Sequence, residues 1–183
     1  MYCELKTNRL LLRPLDITDL DAVHAYASNK ENTMFMLWLP NDTKEETAQF
    51  LSKVTNEWKK DNPGYYEFAV TLDGKLIGAV SINLNAEKTM GELGWILHKR
   101  YWKKGYATEA AFAIKEFAVN TLKVSKLVAH CNYRNMDSYR LMEKIGFRLE
   151  DDCASRTYFR SGETVKELTY SFIKSDMWYV SAI

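Results

Sequence analysis

Cysteine is scarce in this 183-residue chain, and its three examples, Cys3, Cys131 and Cys153, are widely spaced with no C-x-x-C pair. That pattern argues against a disulfide framework or a zinc site, so no metal is expected and a reducing, cytoplasmic setting is the default. Net charge is nearly absent, at +1 from 25 Lys and Arg against 24 Asp and Glu. A nucleic-acid partner, which calls for a strong basic excess, is therefore not expected. No run approaches the roughly 18 apolar residues of a membrane span, and Met1–Lys6 lacks the apolar stretch of a signal peptide. Glycine (8) and proline (3) are too few and too scattered to make a linker or a low-complexity segment. A single domain over residues 1–183 is the expected organisation.

What the chain does have is apolar mass, 46% hydrophobic and 13% aromatic residues, arranged with clear periods. Leu10 to Leu15 reads as a first strand. Thr18-Asp19-Leu20-Asp21 opens a helix, with Thr18 as its expected N-cap. Thr43-Lys44-Glu45-Glu46 has the capping-box pattern of a second helix, whose Phe50, Leu51, Val54 and Trp58 share one face. Tyr66, Phe68, Val70 and Leu72 alternate up to Asp73-Gly74, a hairpin turn, and Leu76–Leu84 returns. Gly91–Leu97 is the next strand, with Glu92, Gly94 and Ile96 on one face. Gly105–Asn120 reads as a helix, Lys126–Cys131 as a buried strand, and Asn135–Ile145 as a further helix. Strands near Phe147–Asp151 and Val165–Ile173 complete the set. The fold class is α+β: a mixed, mostly antiparallel sheet of about seven strands with about four helices and one parallel crossover.

Chemistry concentrates between Gly94 and Ala111. A strand runs into the basic stretch His98-Lys99-Arg100, then Lys103-Lys104-Gly105-Tyr106-Ala107-Thr108, then a helix. The first turn of a helix offers unpartnered N–H groups and partial positive charge, which suits phosphate. Gly105 lets a ligand approach the backbone. The spacing is neither G-x-x-x-x-G-K-[ST] nor G-x-G-x-x-G, so a P-loop and a dinucleotide fold are not supported. Charge and one glycine alone fit equally well a basic loop that merely solvates one end of the sheet.

Tyr101 to Ala110 resembles the acetyl-CoA motif of the GNAT family of N-acetyltransferases. Thr7–Leu15 resembles that family's opening strand, and Gly91–Leu97 its fourth. Asn135-Met136-Asp137-Ser138, followed by Glu143–Phe147, resembles its second cofactor motif. The four segments stand in the family's order. The similar branch is the one containing the ribosomal-protein N-terminal acetyltransferases RimJ and RimL.

The resemblance implies acetyl-CoA as co-substrate and a GNAT-like sheet whose parallel pair splays to admit pantetheine. Ile96, Leu97 and His98 would offer it backbone groups, with an N–H near Leu97 polarising the thioester carbonyl. Lys103, Lys104, Gly105, Tyr106, Ala107 and Thr108 would hold the pyrophosphate. Asn135 and Ser138 would meet the pantetheine arm. Two positions depart from the common pattern. Trp102 stands where many members carry Arg or Gln, which fits the RimJ/RimL-like branch. Met142 stands where many place a tyrosine general acid, so a tyrosine mechanism does not carry over.

Direct attack by an amine needs positioning and removal of a proton. Glu92 is the expected base or substrate anchor, and Ser138 the expected donor to the leaving thiolate. Glu92 could equally be a surface carboxylate, and Ser138 an early residue of a helix capped by Asn135. Of the histidines, His98 is expected to act through its backbone, His130 to sit in the sheet and His24 on a helix surface. The aromatic, Met-rich segment Asn32–Pro40 is expected to cover the acceptor or the core. An α-amine (pKa about 8) is easier to neutralise than lysine (about 10.4), so a protein or peptide N-terminus is the leading acceptor. A small-molecule amine such as a polyamine, amino sugar or drug is the alternative. A non-catalytic acyl-CoA sensor is a reading of another class. A monomer or a homodimer is expected, and the apolar tail Met177–Ile183 would pack on the domain or on a second copy.

Overall fold

The computed structural model describes residues 3–38 and 40–176, so the apolar tail Met177–Ile183 lies outside the described residues. The chain enters through β1 (Leu5–Lys6) and β2 (Leu11–Pro14), which pair antiparallel, with Leu12 fully buried. A 3-10 turn over Ile17–Asp19 then leads into α1 (Leu20–Ala27). The cap is Asp16 rather than the expected Thr18: its carboxylate accepts the Thr18 N–H at 2.7 Å, and Asp19 accepts the Asp16 N–H at 3.2 Å. The extra turn displaces the start of the structure by two residues. α2 (Lys44–Trp58) starts on Thr43, whose hydroxyl accepts the Glu46 N–H at 3.2 Å. Glu46 does not return the bond to Thr43. Its carboxylate takes the Asp42 N–H and the guanidinium of Arg160 instead.

β3 (Tyr65–Leu72) and β4 (Lys75–Leu84) form the expected hairpin. Asp73 and Gly74 both have positive φ, 49° and 75°, as its tight turn demands. β5 (Met90–Leu97) extends the antiparallel run. α3 (Tyr106–Asn120) crosses over to β6 (Lys126–Asn132), which lies parallel to β5. α4 (Met136–Lys144) is followed by β7 (Arg148–Asp151), β8 (Ser155–Thr157) and β9 (Thr164–Ile173). Sheet order is β1-β2-β3-β4-β5-β6-β9-β7, with β8 pairing β9. Two strands exceed the sequence expectation, β1 and β8. At two and three residues they are too short to show a period.

One face of β3 makes the core. Tyr66 and Phe68 meet Trp58 of α2 and Phe117 of α3 edge-on, with centroids 5.0–5.6 Å apart. These perpendicular contacts are the favoured geometry for aromatic pairs. Gly78 lets β4 and β5 approach closely at Leu97: a Cβ there would lie 2.2 Å from the Ile96 carbonyl oxygen. His24 is only partly exposed and its Nδ1 lies 2.9 Å from Thr47 Oγ1, so it ties α1 to α2. His130 is a sheet residue, bonded to Thr169 of β9 at 3.0 Å.

Candidate active site

The basic loop is curled by two left-handed residues, Lys103 (φ 59°) and Gly105 (φ 81°). Gly105 is the residue before α3, so the free N–H groups of the helix's first turn stand at the loop. The loop is braced from the N-terminal segment. Arg9 donates to the Lys104 carbonyl at 3.0 Å and to Glu109 at 2.7 Å, and lies 4.5 Å over the Tyr106 ring. Glu109 also accepts from Thr7 Oγ1 at 2.6 Å and from the Arg9 N–H at 2.8 Å. The left-handed φ of Gly105 favours glycine, and a Cβ there would also crowd Arg9 Nη2 at 3.3 Å. Sequence reasoning did not find this brace, because its partners are about a hundred residues apart.

A cavity of about 960 Å³ starts at this loop. Lys103, Gly105, Tyr106, Ala107 and Thr108 line it, whereas Lys104 lies outside the lining, exposed and facing the Tyr101 ring at 5.8 Å. Arg140 and Lys144, a turn apart on α4, add positive charge to the lining of the cavity. The donor set fits an anionic pyrophosphate. The cavity then follows the place where the sheet opens. β5 and β6 pair only over Met90–Glu92 and Lys126–Val128. Beyond Glu92 the two strands part. The His98 N–H goes to Ile77 at 2.8 Å and its carbonyl accepts the Tyr101 N–H at 2.9 Å. By the alternation of an antiparallel ladder, Ile96 also turns its backbone to β4, while Trp95 and Leu97 turn theirs to the gap. Trp102 closes one such group: its indole N–H donates to the Leu97 carbonyl at 2.7 Å. His98 itself is a cap, its Nδ1 accepting the Arg100 N–H at 3.2 Å. Burial and the neighbouring Arg100 and Lys99 hold its imidazole below the usual histidine range.

On the far side the floor is made by cross-strand rows. Tyr65, Asn83 and Glu92 form one, and Glu67, Ser81 and Gly94 the next. All six line the cavity. Glu92, Gly94 and Ile96 thus share a face, and Glu92 is exposed on it. Glu67 was not singled out from the sequence, and it is only 7% exposed. Its carboxylate accepts from Tyr65 Oη and from Ser81. Burial pushes it up from 4.5 to about 7 against the opposing pull of those two hydrogen bonds. The available signal was a glutamate inside the strand Tyr65-Tyr66-Glu67-Phe68-Ala69-Val70, where a charge is out of place.

Asn135 caps α4 by accepting the Ser138 N–H at 3.2 Å, and both residues line the cavity. The Ser138 hydroxyl is buried beside the Cys131 thiol, with which it hydrogen-bonds. Burial raises that thiol to about 11, partly opposed by Arg156 and Ser138, so it stays protonated. Tyr139 stacks on Tyr170 at 6.5 Å, a packing contact.

The roof is the segment between α1 and α2. Phe35, Met36, Leu37 and Trp38 line the cavity. Buried Asn32 pins the segment to the end of β5 by accepting the Lys99 N–H at 2.7 Å. The turn between β8 and β9 straps its far end. The Phe159 N–H donates to the Leu37 carbonyl at 3.3 Å, and the Trp38 and Phe159 rings lie 5.3 Å apart. Arg160 clasps Asp42 and Glu46. Among the described residues no helix is long and apolar enough to cross a membrane.

Residues 9–148 match the family model described as an acetyltransferase (GNAT) domain. A protein named uncharacterized N-acetyltransferase YnaD, from Bacillus subtilis (strain 168), is 33% identical over 146 residues, 79% of this chain and 82% of that protein. Spermidine N(1)-acetyltransferase of Escherichia coli (strain K12) is 25% identical over 142 residues, 77% of this chain and 74% of that protein. Among solved structures, the ribosomal L7/L12 alpha-N-protein acetyltransferase RimL in complex with coenzyme A matches with a TM-score of 0.81. It is 17% identical and is covered over 93% of this chain and 98% of its own, a likeness of fold. This chain belongs to the GNAT family and is an N-acetyltransferase.

Proposed function

We propose that the acetyl group comes from acetyl-CoA and goes, by direct attack, to the α-amine at the N-terminus of a protein or peptide, in the manner of the RimJ/RimL-like branch and in the cytoplasm. One observation carries this reading. A single cavity joins the curled Lys103–Thr108 loop to an aromatic-walled chamber floored by carboxylates. The loop's N–H groups, with Lys103, Arg140 and Lys144, suit the pyrophosphate. The backbone of Trp95 and Leu97 suits the pantetheine arm in the gap, with a Leu97 N–H polarising the thioester carbonyl. Asn135 and Ser138 flank that arm, and Ser138 protonates the departing thiolate. Exposed Glu92 anchors the incoming ammonium. The aromatic roof accommodates a first side chain. The loss of one proton from an α-ammonium at about pKa 8 asks less of the enzyme than loss from a lysine at about 10.4.

A polyamine acceptor is the second reading. It is favoured by the 25% identity to a spermidine N(1)-acetyltransferase and by two carboxylates, Glu67 and Glu92, in one cavity. Thiol release from acetyl-CoA, measured on a panel, separates the two. The panel holds peptides with free α-amines, the same peptides N-formylated but carrying lysine, spermidine and an amino sugar. Turnover confined to free α-amine peptides is expected. Turnover of spermidine with none of any peptide would overturn the first reading.

A further inference from the structure

We propose that the carboxylate of Glu67 takes the proton from the acceptor's ammonium, so that the amine attacks the thioester uncharged. This rests on the acetyl-transfer reading above, and it applies to whichever primary amine the chamber receives.

The geometry of the floor points there. Glu67 stands on β3, and its cross-strand neighbours toward the β5 edge are Ser81 and Gly94. Both are small, and even a Cβ at Gly94 would sit 2.8 Å from Ser81 Oγ. The row therefore forms a shallow trough from the Glu67 carboxylate to the edge where β5 leaves β6. Along that edge the thioester arm has its backbone partners. An amine lying in the trough has the carboxylate at one end and the carbonyl carbon at the other.

The surroundings suit a proton acceptor. Tyr65 on the same strand and Ser81 on β4 hydrogen-bond the carboxylate. Tyr26 of α1, fully buried, faces it. Beyond Tyr26 lies Asp19, which is held by Arg13 at 2.6 and 2.8 Å. Glu92 stands on the same floor, in the neighbouring row, and Arg156 also lines the chamber, engaged by Glu167 at 2.5 Å. The influences that set the basicity of Glu67 are burial and two hydroxyl groups, and none is a cation. The chamber thus holds a buried carboxylate whose countercharge is missing. An ammonium supplies that charge on arrival, and transfer of its proton then removes both charges from a water-poor site.

The step balances as follows. The ammonium gives one proton to Glu67. The neutral nitrogen bonds to the carbonyl carbon and the C–S bond breaks, its electron pair leaving on sulfur. Ser138 gives the sulfur its proton, releasing the free thiol, and is restored by the second nitrogen proton. Glu67 returns its proton to solvent. Per turnover one amide, one thiol and one solvent proton appear.

Glu67→Gln and Tyr65→Phe test the assignment, using acetyl-CoA and an amine that the unsubstituted enzyme turns over. General-base removal lowers rates by about 100-fold or more. Glu67→Gln is expected to lower kcat/KM for the amine by that factor at neutral pH. The KM for acetyl-CoA should stay unchanged, and the rise of activity through neutral pH should vanish. Glu67→Asp should retain that rise with a reduced rate. Tyr65 Oη stabilises the ionised carboxylate, so Tyr65→Phe should move the rise to higher pH. Wild-type kcat/KM and an intact pH profile in Glu67→Gln would overturn the proposal. If Glu67→Gln loses its circular-dichroism signature, a Tyr65→Phe profile that does not move overturns it alone. Acetylation of spermidine but of no peptide would sink only the α-amine reading, and the same pH profile would still decide Glu67.

Discussion

Replacing Glu67 by glutamine should make folding stability depend on pH in a way that can be worked out beforehand. In the folded chain the carboxyl group titrates at about 7, against 4.5 for the free side chain. The raised value means that the folded state holds this proton more tightly than the unfolded chain does. Its stabilising contribution is present in full below about pH 4.5, drains away as pH rises, and is gone above about pH 7. The difference of about 2.5 units, at about 1.36 kcal/mol each, gives about 3 kcal/mol. Glutamine has no proton to lose, and all other titrations are common to both proteins. The stability of Glu67→Gln relative to the parent should therefore climb by about 3 kcal/mol between pH 4.5 and pH 8. For a domain of this size that is a relative gain in Tm of about 6–12 °C. Urea unfolding at a series of pH values, read by tryptophan fluorescence, measures it. A difference that stays flat across the range would refute the claim that Glu67 is ionised only against a burial penalty.

The curled Lys103–Thr108 loop gives two further expectations. Gly105→Trp places a side chain on a residue with φ 81° beside Arg9, and should abolish acetyl-CoA binding by calorimetry while the circular-dichroism spectrum stays native. Arg9→Ala removes a pair that is partly exposed, so stability should fall by less than about 1 kcal/mol. Acetyl-CoA affinity should nevertheless drop several-fold, because the Lys104 carbonyl and Glu109 lose the group that sets the loop's shape. Unchanged affinity would show that the brace is ornamental.

Local signals were legible and distant ones were not. The turn at Asp73-Gly74, the cap at Thr43, the helix after Gly105 and the Asn135 cap each follow from a few adjacent residues. The Glu92/Gly94/Ile96 face follows from the period of two. Glu67 also lies on a period-two strand, yet its burial depends on α1 lying over it and on a cavity opening before it. Neither is written in the strand. The splay is likewise non-local, since β5 and β6 stop pairing at Glu92 although both continue as strands. Thr18 misled because a capping residue and a helix start are separated here by a 3-10 turn.

The strap formed by Phe159 and Arg160 carries a consequence for descent. The roof of the chamber and the turn that straps it are written in two stretches of sequence, residues 32–46 and 158–163, joined by ring contact and ion pairs. The basic loop, residues 103–108, shares none of these contacts. A lineage can therefore trade one amine for another by rewriting the two stretches together, leaving its thioester chemistry untouched. Rewriting one alone strands Arg160 or its carboxylates. Among descendants of this fold, taste for an acceptor should travel as a matched pair of segments, and grafts of both should transplant it where grafts of either fail.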